Sequence, residues 1–515
     1  MGVTERLHSV TRRLHFVSGR LHSVSRHFHS VFRRVVPGIL SFLLPVFPIL
    51  ASPAAFAQLP SANRTSAADP YWGSVTAQPL SGEPLKLSLD DAVRRGLKSN
   101  LGVKEAENGQ LALHGEKNQV LQVFLPTITL SGDTGYYMHN LAALGFGSST
   151  IKEFSSFFPG GKPPAGFSDI TRDTLTDGKL QMTQVLFSGA AITALKAAGA
   201  AERSSYFAMM TARGEVVQRV ATAYLRAIAD ASEVENAGSQ VKQAQLFEDH
   251  QHAAHEAGTV ANLDELRAQV QLQTQQQALI AAQNQEAKDL ILLKREIGVE
   301  PAQVIILTDP APYSELAAQT PEELRALAYK SRQDYQNLQN QVVVYRALHA
   351  SARAARLPSL GFFGFYQTST VTGVNTHGNF VAMGQLSFPI FKEAQIRGSE
   401  DTAQANLESI TAQLDELRSH IEEQVRAALL DVNANTRLVE VARSNVDLAQ
   451  HALSDETDRV NAGVDDNLPL VTAQATLASA QNNLVESLYQ YNVSKLALAR
   501  SAGVLEQQYR TYLGE

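Results

Sequence analysis

The chain has 515 residues, with 44 lysines and arginines against 51 aspartates and glutamates, a formal net charge of −7, and no cysteine. The acidic balance argues against nucleic-acid binding, which needs clustered basic charge, and the missing thiols exclude disulfides, thiolate metal sites, cysteine nucleophiles and a lipidated N-terminal cysteine. Aromatic residues make up 7% of the chain and tryptophan occurs once, at Trp72, so the recurring alanine, glutamine and leucine predict long packed helices.

The charge is unevenly spread. Residues 1–57 hold seven arginines (Arg6, Arg12, Arg13, Arg20, Arg26, Arg33 and Arg34) and one acid, Glu5. Arg33-Arg34, the apolar run Val35 to Leu50 and the triplet Ala55-Phe56-Ala57 reproduce the basic, apolar and A-x-A regions of a secretory signal peptide cut after Ala57. A membrane-spanning helix is the rival reading, but it needs about 20 apolar residues without helix breakers, and Pro37, Pro45 and Pro48 interrupt the run. His8, His15, His22 and His29 recur at a fixed interval ahead of it, in an overlong basic region or upstream of a true start near Val31. Beyond residue 57 no comparable apolar window follows, so an exported chain of this kind is periplasmic, secreted or an outer-membrane barrel.

The mature chain opens with an extended segment, 58–86, followed by L-S-L-D-D-A-V at Leu87 to Val93, where Ser88 can cap a helix. Phe124 to Tyr137 and Lys179 to Phe187 alternate polar and apolar residues with the period of two that marks a strand with one apolar face. Gly145, Gly147, Pro159, Gly160, Gly161, Pro163, Pro164 and Gly166 mark a long surface loop between them. From Ala190 to Ala257 helix is predicted, roughly 100 Å of it at 1.5 Å per residue, ending at Gly258, which tolerates the positive φ of a turn. A second hairpin spans Ser359 to Thr370 and Asn379 to Pro389, turning around Gly373 and Gly378. Val425, Val432, Val439, Val446, Leu453 and Val460 then occupy one heptad position, with Ala428, Ala442 and Ala449 beside it. The return arm carries Leu470, Leu477, Leu484, Tyr491, Leu498 and Leu505 at the same interval. Val220, Ala227, Val234 and Val241 repeat the pattern more weakly in the first half. A sustained 3.5-residue period predicts two antiparallel coiled-coil hairpins.

The two halves resemble each other. Leu97-Lys98-Ser99 faces Tyr329-Lys330-Ser331 and Leu125-Pro126 faces Leu357-Pro358, at one common offset. Gly258, Leu263, Ala268, Gln269, Leu272 and Gly298 recur as Gly463, Leu468, Ala473, Gln474, Leu477 and Gly503, at another. The expected organisation is a signal peptide at 1–57, the extended segment 58–86, a first structural repeat at 87–305, a second at 306–503 and a C-terminal tail at 504–515. The fold class is mainly α with a small β part of two hairpins. Four transmembrane strands cannot close a barrel, since outer-membrane barrels start at about eight, so several copies must pool their hairpins and helices.

The L-S-L-D-D-A-V opening, the Leu-Pro strand starts, T-Q-V-L-F-S-G at Thr183 to Gly189, S-F-P-I-F at Ser387 to Phe391 and the two A-G-x4-L-x4-A-Q-x2-L blocks form an ordered set. With the signal peptide, that set resembles the TolC-like outer membrane factors over roughly Leu87 to Gly503. The resemblance implies a homotrimer whose shared transmembrane β-barrel of twelve strands continues as a long α-helical barrel across the periplasm. It implies the exit duct of a tripartite efflux pump or a type I secretion system, set in outer-membrane lipid. The duct would dock tip to tip with a periplasmic adaptor, or membrane fusion protein, coupled to an inner-membrane transporter of RND or ABC type.

The resemblance also places a periplasmic gate near the coiled-coil tips. Asp264 matches the family's first-repeat gate aspartate in spacing, whereas the family's gate tyrosine and arginine fall on Val460 and Asp465, and its ring aspartates on Pro469 and Thr472. Asp465 and Asp466 lie close by, and Arg459 can partner an acid of a neighbouring subunit. The competing reading is that these are solvated residues, the acids being favoured by helix N-terminal dipoles. Gly258 to Leu263 and Gly463 to Leu468 are the implied adaptor contacts, and turn glycines in any case. His250, His252, His255 and Glu256 beside the first tip have a spacing able to hold a divalent metal, although wet helix faces bearing histidines are commoner. No catalytic motif such as G-x4-G-K-[ST], H-E-x-x-H or G-x-S-x-G occurs, and neither an enzyme nor a cofactor is expected. The main alternative is a periplasmic or secreted coiled-coil scaffold outside any membrane. Drugs, metals, polysaccharide and protein all stay open as cargo.

Overall fold

The structure, a computed structural model, describes residues 73–75, 79, 80, 82–140, 143, 170–310, 312–371, 375–462 and 467–514. The segment expected as a signal peptide, Trp72, most of the long first loop, Gly373, Gly463, Asp465 and Asp466 lie outside the described residues.

The elements run β1 (Leu85–Leu87), α1 (Leu89–Ser99), α2 (Leu101–Gln122), β2 (Thr127–Asn140), β3 (Ile170–Phe187), α3 (Gly189–Glu256), α4 (Asn262–Ile297), β4 (Ile305–Leu307), α5 (Pro321–Ser331), α6 (Gln333–Ala354), β5 (Ser359–Val371), β6 (His377–Ser387), α7 (Glu393–Asn461), α8 (Asn467–Ser501) and α9 (Leu505–Leu513). The chain is mainly helical with a small sheet, and the order short strand, two helices, hairpin, long helix, shorter helix occurs twice.

Local chemistry explains the boundaries. Ser88 caps α1 by accepting the Asp91 amide at 3.2 Å, with Asp90 and Asp91 at the positive end of the helix dipole. Thr320 and Glu323 form a reciprocal capping box at the start of α5, with Pro321 in the first turn. Gly503 ends α8 at φ +77°, and a Cβ there would lie 2.5 Å from the Arg332 amide nitrogen, so α8 meets the start of α6 only through a glycine. The segment expected as a tail, 504–515, contains α9, whose Leu505, Tyr509, Tyr512 and Leu513 are buried.

Both hairpins join one antiparallel sheet in the order β2-β3-β5-β6. Strand β3 begins nine residues before the alternation becomes clear at Lys179, because pairing with β2 and β5 holds the Thr- and Asp-rich start of the strand in place. Strand β6 stops at Ser387, short of Pro389, which has no amide to donate. The strands β1 and β4 make a separate parallel pair, Leu85 with Ile305 and Leu87 with Leu307, that ties together the starts of the two halves.

The predicted heptad rows are core. Val425, Val432 and Val439 of α7 are buried, as are Leu470, Leu477, Tyr491 and Leu498 of α8 and Val217, Val220, Tyr224 and Ala227 of α3. Toward the tips α4 packs on α3, α3 on α8, and α8 on α7; toward the sheet α2 packs on α3, α3 on α6, and α6 on α7. At both levels the helices form a row with α7 at one end and α4 or α2 at the other.

Candidate functional site

The first tip is closed by backbone geometry. Helix α3 ends at Glu256, the Gly258 amide donates to the His255 carbonyl at 2.8 Å, and Gly258 takes φ +71° before α4 starts at Asn262. Gly258 and Leu263, the expected docking residues, are both exposed.

Asp264 sits in the first turn of α4 and pairs with Arg267 one turn along at 3.3 Å. Arg459 occupies the last turn of α7, its Nε 3.9 Å from Glu456. Within one chain Asp264 and Arg459 therefore hold local partners, in places favoured by helix dipoles. Leu468 lies in the first turn of α8.

The residue that ties the tip together is Glu265, adjacent to the one the spacing selected. It is buried and accepts a hydrogen bond from His252 Nδ1 at 2.8 Å, while His255 Nε2 stands 3.7 Å from its other oxygen. His255 Nδ1 donates to the Val260 carbonyl at 3.2 Å, and His252 Nε2 lies 3.6 Å from Glu256. His250 is exposed. The three histidines and Glu256 are thus not gathered around a common centre: two of the rings face Glu265. Among the described residues no group of three or more such side chains is placed to hold a metal. A sequence signal for Glu265 does exist, since a hairpin folded about 258–259 sets 252 opposite 265.

The Glu265 carboxylate, followed by Glu256, raises the His252 imidazole above its ordinary range. A base whose affinity for protons rises on folding stabilises the fold fully below its unfolded pKa, about 6.5, and loses that effect as pH climbs through the raised value. Amide-exchange protection across 250–268 is therefore expected to be higher at about pH 6 than at about pH 8. His252→Gln should flatten the difference, and an unchanged pH profile in that variant would remove His252 from the role.

The ends of the helix row carry a second apolar seam. On α7, Leu430, Leu438, Val441 and Leu448 are 55–68% exposed, one face away from the buried Val439 row. On α4, Leu263, Val270 and Ile280 are similarly bare. Leu438, Val441 and Leu448 on α7 and Leu263, Val270 and Ile280 on α4 keep heptad spacing, the signature of a helix that expects a neighbour.

Sheet register sorts side chains the same way. The row Leu130, Leu180, Tyr366, Phe380 lies across the apolar face, where Ile128 and Leu386 are also exposed. The next row, Ser131, Lys179, Gln367, Asn379, lies on the opposite face, followed there by Asp133, Asp177, Ser369, His377. Along these rows one side suits lipid and the other water, while Phe365 with Val381 and Phe363 with Met383 add apolar side chains to the second face. Among the described residues β2 and β6 pair on one side only.

The family model described as outer membrane efflux protein matches residues 93–299 and 324–504. The alkaline protease secretion protein AprF of Pseudomonas aeruginosa is 25% identical over 303 residues, 57% of this chain and 62% of AprF. The pyoverdine export outer membrane protein OpmQ of the same organism is 23% identical over 320 residues, 61% of this chain and 66% of OpmQ. The chain thus spans a little under two thirds of either relative. The outer membrane protein VceC of Vibrio cholerae shares the fold, with a TM-score of 0.65 at 16% identity over 81% of this chain and 96% of VceC.

Proposed function

Because the chain belongs to the outer membrane efflux protein family, we propose that identical copies assemble into the outer-membrane exit duct of a tripartite efflux pump or type I secretion system. The observation that carries this reading is a wall with two open ends. A four-stranded sheet whose edge strands β2 and β6 pair on one side only among the described residues cannot satisfy its backbone in lipid. The helix row likewise ends in bare seams, on α4 at one end and on α7 at the other. Such heterologous edges close into a ring when repeated by rotation. Three copies, the number implied by the resemblance, give about twelve strands, comfortably above the minimum for a barrel. The doubled element order fits an internal tandem repeat, each half supplying one hairpin to the barrel and one coiled coil to an α-helical barrel below it.

In this assembly the apolar sheet face meets outer-membrane lipid and the polar face lines the lumen. The tips at Gly258–Leu263 and Gly463–Leu468 dock a periplasmic adaptor, which couples to an inner-membrane transporter of RND or ABC type. Asp264, Arg459, Asp465 and Asp466 form the periplasmic gate, with ion pairs exchanged between subunits when it closes. The relatives' names cover alkaline protease secretion and pyoverdine export, and both protein and small-molecule cargo stay within the proposal. The duct is passive and uses no cofactor.

The decisive experiment is fractionation of cells expressing the full chain. We expect it in outer membranes as a detergent-stable, heat-labile oligomer that conducts ions in planar bilayers; a monomer confined to the soluble periplasmic extract would favour the scaffold reading. Asp133 and Asp177 lie directly opposite each other on the proposed lumen face. Replacing both by asparagine is therefore expected to lower cation-over-anion permeability severalfold by reversal potential, and an unaltered ratio would place that face outside the conducting path.

A further inference from the structure

Roughly 45 Å along α3 from the tip, at 1.5 Å per residue, three helices meet around one arginine. Arg226 of α3 has Nε 2.8 Å from Asp230 and 3.8 Å from Asp289 of α4, Nη1 2.9 Å from Glu486 of α8, and Nη2 3.8 Å from Glu233. Its guanidinium also lies 5.4 Å from the centre of the Tyr489 ring of α8. Four carboxyl groups share a single cation, a deficit that the gate and the docking tips do not require.

Asp230 is the most enclosed of the four, at 1% exposed. Neither of its oxygens has a well-aligned donor, yet Asp230 and the Asp289 carboxyl converge on the same Arg226 Nε, at 2.8 and 3.8 Å. One proton resolves both facts: a protonated carboxyl donates to its ionised neighbour and cancels one of the crowded charges. Burial first, then the Asp289 hydrogen bond, pushes Asp230 up to about 7, against the opposing pull of Arg226. The groups facing it are Arg226 and Glu233 from its own helix, Asp289 from α4, and Glu486 and Tyr489 from α8.

We propose that Asp230 and Asp289 form a proton-operated latch between the two arms of the first coiled-coil hairpin. With the shared proton in place, α4 is held on α3; without it, two buried carboxylates repel each other and α4 moves outward. The sign follows from linkage. An acid whose folded pKa is raised stabilises the closed form fully below its unfolded value near 3.9, and the effect is gone once pH has risen through about 7. Because α4 is an edge helix, its displacement in the assembly would alter the seam with the next subunit; that consequence rests on the duct reading above, whereas the latch itself lies within one chain.

Glu296, farther along α4, is also pushed up to about 7, by burial, so the comparison with variants carries the test rather than the pH profile alone. The chain has no cysteine, and one spin label on each arm can be introduced through Glu235→Cys of α3 and Asn284→Cys of α4, both exposed positions. Distances would be measured by pulsed electron resonance on the full chain in detergent, labelled copies diluted with unlabelled ones, at about pH 5.5 and about pH 8.5. The expected result is a shift to longer distance at the higher pH, with Asp230→Asn holding the acid-like distance at both. Asp289→Asn supplies the same test if the first variant fails to fold. A parent distance that ignores pH, or an asparagine variant that shifts as the parent does, overturns the latch. Light scattering on the same samples reads the oligomer separately, so failure of the assembly proposal is distinguishable from failure of the latch.

Discussion

Placing aspartate at both Val441 and Leu448 of α7 is expected to abolish the oligomer while leaving the subunit folded. The two side chains are 57% and 63% exposed, on a face separate from the buried row formed by Val439, Ala442 and Ala449. Charge at these positions therefore costs an isolated subunit little. In a closed wall each position would instead be covered by a neighbouring helix. Burying an aliphatic side chain contributes about 1.5–3 kcal/mol, and an unpaired buried carboxylate costs several kcal/mol more. With two changes in every copy the penalty exceeds what a ring of such interfaces can absorb. Light scattering should report monomers, circular dichroism should report undiminished helix, and conductance in bilayers should vanish. A double variant that still runs as a heat-labile oligomer would show that this seam is not the subunit contact.

The second large effect is expected at Tyr224. Its side chain is fully buried, and its hydroxyl donates toward the Leu87 carbonyl at 2.9 Å and the Asp309 carboxylate at 3.0 Å. Asp309 in turn accepts the Leu89 amide at 2.7 Å, at the first turn of α1. One phenol therefore joins the long helix α3 to the start of the first half and to the residues just after β4. Tyr224→Ala should cost about 3–5 kcal/mol, the range for emptying an aromatic site in a core, and Tyr224→Phe about 1–2 kcal/mol for the lost hydroxyl contacts. Urea unfolding checks both, and a Tyr224→Phe variant as stable as the parent would show that packing, not the hydroxyl, makes the connection.

Periodic and punctuating signals were the legible part of the fold. The Val425 to Val439 row, the strands around Lys179 and Ser359, and the turn at Gly258 appear where heptads, alternation and composition placed them. Signals that depend on a distant partner were not legible. The three-residue ladder of β1 with β4 is too short to show a period. The first half of β3 is held by its neighbours and lacks a strong pattern of its own. Helix α9 was hidden by its brevity, although Tyr509 reaches Asp90 at 2.7 Å and Glu506 meets Arg213. At the tip, the resemblance pointed to Asp264 as a gate residue, whereas the side chain that closes the hairpin is its neighbour Glu265; a helix turns about 100° per residue, so the two lie on different faces. Arg226 and its four carboxyls come from three helices and over 250 residues of sequence, roughly the length of a whole large domain, which no local window spans.

The two long helices differ from their partners in one respect that matters mechanically. α3 and α7 run unbroken, 68 and 69 residues, from just below the sheet to the tips, whereas α4 and α8 stop after 36 and 35. Each hairpin therefore has one continuous drive shaft and one arm that ends at a joint. Torque applied where a partner engages the far end would travel along the shaft to the sheet, and the shorter arm would slip beside it like a follower.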